Sequence, residues 1–103
     1  MQDTFRQFEE QCRIHMDRFY AAQPDSKYRA QAYKILRLLR ASEKPLKGKP
    51  AGWAAGIIYV AANDGRIPFG VPVLLNAEFE KLMGVSMEVV RYRAAKVREL
   101  VAY

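Results

Sequence analysis

The chain has a single cysteine and a single histidine among its 103 residues. Cys12 alone excludes an internal disulfide and a zinc ribbon, because each takes at least two thiols. Cys12 and His15 share a helical face, but two ligands do not make a metal site. We expect Cys12 in the core and His15 at its edge. No phosphate-cradling loop is present, since Gly65 and Gly70 lack the lysine and the spacing, and no serine or cysteine nucleophile has a histidine in reach. The adjacent Glu9 and Glu10 point about 100° apart on a helix, so they do not form a catalytic carboxylate pair. These absences predict no enzyme activity, no cofactor and no metal. Met1 to Glu10 has acids and no apolar run, so no signal peptide is read there and a cytoplasmic location is expected.

What is present is positive charge, unevenly spread. The net charge is +6, and by segment it runs −2 over Met1–Ser26, +7 over Lys27–Lys49, −1 over Pro50–Met83 and +2 over Gly84–Tyr103. Half the residues are hydrophobic and 27% are charged with mixed sign, which suits one folded domain over 1–103. A basic segment of this kind points to a polyanionic partner.

The fold is organised by Pro50 to Asn63, PAGWAAGIIYVAAN, which carries no charge. A helix apolar on every side must be buried, and at about fourteen residues it falls short of the roughly 20 a bilayer needs, so it is a core helix. Its alanines and glycines let neighbouring backbones come close, while Trp53, Ile57, Ile58 and Val60 fill volume. Pro50 suits the first helical position, and Asn63, Asp64 and Gly65 end the helix.

Around it, Asp3 to Tyr20 places Phe5, Phe8, Cys12, Met16 and Phe19 on one helical stripe, with Glu9, Glu10, Arg13, Asp17 and Arg18 on the solvated side. A turn at 23–26 follows, with Asp25 or Ser26 as the next helix cap. Lys27 to about Ser42 repeats the stripe with Tyr28, Ala32, Ile35, Leu36 and Leu39. Opposite lie Arg29, Lys34, Arg37 and Arg40, read as a basic ridge of phosphate contacts continued by Lys44, Lys47 and Lys49. In 64–75 Pro68, Gly70 and Pro72 forbid a helix, while Ile67, Phe69, Val71 and Val73 are too apolar for water, so an apolar loop packed on the core is expected.

Asn76 is read as the cap of a short helix ending at Met83. The chain turns at Gly84, Val85 and Ser86, and a last helix runs from Met87 to about Ala102 with Ser86 as cap and Glu88 in its first turn. Helix, glycine turn and basic helix is the spacing of a helix-turn-helix pair, here over 76–102. Phe79, Met83, Val85 and Val90 are expected inward, with Glu88, Arg91, Tyr92 and Met87 on the leading face of the second helix.

Two stretches, GKPAGWAAGIIYVAAN at Gly48–Asn63 and GVSMEVVRYRAAKVREL at Gly84–Leu100, resemble the cyclin-box repeat of archaeal and eukaryotic transcription factor IIB. The resemblance implies an all-α, five-helix cyclin-box-like bundle around helix 50–63. It also implies DNA binding through the final helix, with Arg91 as base contact beside Glu88 and Tyr92, and Arg93 and Lys96 on the backbone or in solvent. The chain departs from that family in having one repeat and no zinc ribbon. Glu80 stands where such pairs carry a small residue, and Glu88 stands where the family's reading helix is apolar, so Glu88 must accept from a cytosine amino group if it meets bases. Two functions are therefore expected: a DNA-binding transcriptional regulator, or a cyclin-box scaffold that binds a partner protein or self-associates.

Overall fold

In a computed structural model the helix at the centre is Pro50–Asn63, and every residue from Gly52 to Ala61 is buried. The structure describes residues 2–24, 28–42, 46–63, 71 and 74–101, with residues 2–5 as backbone only. Among them the chain is all-α and forms five helices: α1 Gln2–Ala22, α2 Arg29–Ala41, α3 Pro50–Asn63, α4 Asn76–Met83 and α5 Met87–Val101. α1, α2, α4 and α5 all pack on α3, and α2 also meets both α1 and α5. The expected caps at Asp25 and Ser26 lie outside the described residues, as do Lys44, most of the 64–75 loop and Ala102. Of that loop, Val71 and Leu74 pack against the core and Leu75 is exposed.

α3 starts on the Lys49 carbonyl, which accepts the amides of Gly52 at 3.1 Å and Trp53 at 3.4 Å. Its aromatic residues tie the surrounding helices together. Trp53 meets Phe8 of α1 edge-on with centroids 6.3 Å apart, and Tyr59 lies 6.5 Å from Phe79 of α4, which in turn meets Phe19 of α1. Such pairs contribute roughly 0.5–1.5 kcal/mol each beyond the area they bury.

The stripe on α1 is buried at Cys12, Met16 and Phe19, and Tyr20 joins it; the side chain of Phe5 lies outside the described set. Burial pushes the Cys12 thiol up to about 12, with nearby Glu9 adding to the shift, so the sulfur is an inert core atom. His15 is half-buried and held below its usual value by that burial and by Arg18. One expectation fails: Glu9 is not solvated but 8% exposed. Its carboxylate reaches Arg13 and Arg40 at 3.3 Å each, and this pairing is what permits its burial. Further along the same seam the Tyr33 hydroxyl donates to Asp17, and burial together with that bond raises the phenol to about 12.

The closest packing lies between α3 and α5. Gly52 faces Val89 and Arg93, and Gly56 faces Arg93 and Ala94, so a four-residue step on one helix matches four on the other and the two run side by side. At Gly56 a larger residue leaves no room for the α5 backbone, whereas Gly52 faces only side chains.

Candidate nucleic-acid interface

The α4–α5 pair is held by its inward residues and by three caps. Phe79, Met83 and Val90 are buried and Val85 is half-buried, as the spacing predicts. Gly84 ends α4 in the left-handed region at φ 73°, and its amide donates to the Glu80 carbonyl at 2.8 Å. At the start of α5 the Ser86 hydroxyl accepts the Val89 amide at 3.3 Å, the cap expected of it. The Glu80 carboxylate accepts the Met87 amide at 2.6 Å.

The residue expected to disturb the pair therefore joins it: a carboxylate on α4 fills an orphan donor at the positive end of α5. Glu80→Ala should cost about 1–3 kcal/mol, since a charge-assisted bond is lost and a half-buried amide is stranded. Urea denaturation measures this, and an unchanged midpoint would remove the cap from the account. Met87 is corrected as well, being 6% exposed and part of the core rather than of the leading face. At the entry to α4, the helix begins at Asn76 rather than being capped by it. The Leu75 amide donates to the Glu78 carboxylate at 2.9 Å.

The outward face of α5 carries Glu88, Arg91 and Tyr92, all exposed as expected. Arg93 takes a different position from the backbone or solvent one predicted for it. It is half-buried, its guanidinium 4.9 Å from the Trp53 ring and 5.2 Å from the Tyr92 ring, and it presses against Gly48, whose φ of 108° admits no side chain there. Arg91 and Arg93 point about 200° apart around the helix and so serve opposite flanks. Lys96 is exposed and lies 3.9 Å from Glu99.

The predicted ridge on α2 divides. Arg40 turns to Glu9, and Arg29 lies 5.9 Å from the Tyr33 ring, so both belong to the α1–α2 seam. That seam also carries Arg6, Arg13, Glu9, Glu10 and Asp17, a mixture of signs. Lys34 and Arg37 face outward, as do Lys47 and Lys49 before α3, and none of the four side-chain cations has a hydrogen-bond or ion-pair partner among the described residues. Arg29, Arg40 and Arg93 are therefore drawn away from any face shared by the exposed cations.

Sequence reasoning passed over Arg98. It is half-buried, and its Nε and Nη2 are shielded from solvent with no hydrogen-bond partner among the described residues. A basic residue two turns after Arg91 on the same side was the available signal.

Among the described residues no three metal-ligating side chains converge, and no helix is long and apolar enough to cross a membrane. Comparison of the chain with family models, curated proteins and solved structures finds no match.

Proposed function

We propose that this chain is a non-enzymatic nucleic-acid-binding protein of cyclin-box type, a DNA-binding regulator that uses α5 as its reading helix. The observation that carries this reading is how the charge is distributed. The carboxylates of Glu9, Asp17, Glu78, Glu80 and Glu99 are each engaged by a neighbouring group within the fold. Lys34, Arg37, Lys47, Lys49 and Arg91 are left as uncompensated surface cations, the arrangement that attracts a phosphate backbone. On the outward face of α5 Tyr92 is the group for base edges, with Glu88 available to a cytosine amino group, and Arg91 stands at the edge of that face, where its guanidinium reaches either base or backbone.

The test is fluorescence anisotropy with a labelled mixed-sequence duplex. If about six phosphates are neutralised, affinity falls by about a thousandfold between 50 and 200 mM salt. No binding at 50 mM salt would sink the proposal.

A second reading, a module that docks a partner protein, is favoured by the apolar side chains on α5. Tyr92 is 57% exposed and Val89 38% exposed, beside each other on the outer surface. Partners that survive nuclease treatment in a pull-down, and are lost on Tyr92→Asp, would favour this reading over the first.

A further inference from the structure

We infer that phosphate is held in the seam between α2 and α5, with Arg98 beneath it and Lys34 and Arg91 at its rim. The inference rests on the nucleic-acid reading above and assigns the flank of α5 that meets the backbone. Each helix has one flank already committed. On α2, Arg40 pairs with Glu9 and Tyr33 donates to Asp17, so the Arg29–Tyr33–Arg40 flank belongs to α1. α2 also packs on α5, which leaves the flank carrying Gln31 and Leu38 for that contact, with Lys34 between it and solvent. On α5, Val89 and Arg93 lie against the glycines of α3 and its lead-in. The opposite flank carries Arg91 and, two turns later, Arg98, and by elimination it is the flank left for the contact with α2.

The chemistry of this seam differs from that of its neighbour. Between α1 and α2, three carboxylates accompany the arginines. α2 itself has no acid from Arg29 to Ala41, and on α5 Glu99 is occupied by Lys96. Glu88, one turn before Arg91, is the single opposing charge nearby on these two helices.

Arg98 supplies the second observation. Two nitrogens of its guanidinium are withdrawn from water without an acceptor among the described residues. A cation so placed is poorly screened, and its attraction for an anion at the seam surface exceeds that of a solvated lysine. Leu38 at 41% exposure and the small Ala95 between the two arginines leave the approach shallow and open.

The first experiment uses inorganic phosphate alone. In an NMR titration, the side-chain Nε–H signals of Arg91 and Arg98 should shift together, while that of Arg6 on α1 stays. Shifts at Arg6 without shifts at Arg91 and Arg98 overturn the seam, whatever the duplex does. The second uses the labelled duplex between 50 and 200 mM salt. Lys34→Gln and Arg91→Gln, both exposed and so neutral to folding, should each lower the salt slope by about 0.9, which shrinks the loss of affinity over that range about 3.5-fold. Arg98→Gln, checked for folding by circular dichroism, should weaken binding and lower the slope, since the charge beneath the seam is removed. If the duplex binds but Arg6→Gln and Arg18→Gln lower the slope as much as the seam variants do, the seam is wrong and the nucleic-acid reading stands. If the duplex does not bind while the phosphate shifts appear at Arg91 and Arg98, the nucleic-acid reading falls and the anion site stays. Equal weakening of polyglutamate and duplex binding by the seam variants would overturn the assignment to phosphate.

Discussion

Gly56→Ala should lower the melting temperature by up to about 15 °C, although alanine is the better helix former by about 1 kcal/mol. A Cβ on Gly56 meets the Ala94 backbone nitrogen and the Arg93 Cβ at 2.9 Å and the Arg93 carbonyl carbon at 3.0 Å. These are mostly backbone atoms, and no rotamer change relieves them. α5 must move away from α3 along the length over which the two run side by side, and overpacking of this kind costs about 1–3 kcal/mol. The loss outweighs the gain in propensity because the strain is shared along two whole helices. Gly52 is the control. A Cβ there meets a Val89 methyl at 3.1 Å, and Val89 is 38% exposed and free to shift. Propensity and strain then nearly cancel, so Gly52→Ala should melt within a few degrees of the parent by circular dichroism. Equal melting temperatures for the two variants would show that the approach of α3 to α5 is not set by Gly56.

That close approach was legible in the sequence only as a tendency. The stretch from Pro50 to Asn63 declares itself a buried helix because it lacks charge on every side, and its bounds are those observed. The Ser86 cap and the inward Phe79, Met83 and Val90 could likewise be read from local spacing, since each depends on residues within a few positions along the chain. The failures share a cause. Glu9 is buried because Arg40, far along the chain, supplies a counter-charge, and Glu80 is a cap because the turn brings the first amide of α5 within its reach. A carboxylate looks the same in sequence whether it faces water or an orphan donor, so tertiary partners decide its role. Periodicity put all four α2 cations on the face opposite the stripe, whereas Arg29 and Arg40 stand only about 90° from it and turn to α1. It could not say which neighbour occupies each flank, and the ridge therefore divides between the α1 seam and solvent. Arg93 was misplaced for the same reason, since its spacing marks a flank and the flank proves to be filled by Trp53 and Gly48.

Trp53 joins these separate contacts, and Trp53→Ala should cost about 3–5 kcal/mol, the range for removing a large buried aromatic side chain. The side chain is 3% exposed and does three jobs at once. Its ring meets Phe8 edge-on, its face lies under the Arg93 guanidinium, and its indole N–H donates to the Lys47 carbonyl at 2.9 Å. The last of these fixes the 46–49 segment, which presents Lys47 and Lys49, against the start of α3. Trp53→Phe separates the contributions: it keeps a ring for Phe8 and Arg93 but strands the Lys47 carbonyl, at about 1–3 kcal/mol. Urea denaturation followed by far-ultraviolet circular dichroism measures both, since the sole tryptophan is the residue removed. The phenylalanine variant should stay folded with a midpoint between those of the parent and the alanine variant. If the proposed phosphate contacts of Lys47 and Lys49 depend on that carbonyl anchor, the same folded variant should also show a shallower salt slope on the duplex. A slope equal to the parent's would mean that the two lysines reach phosphate without being held by Trp53, and the role of the indole would be confined to the core.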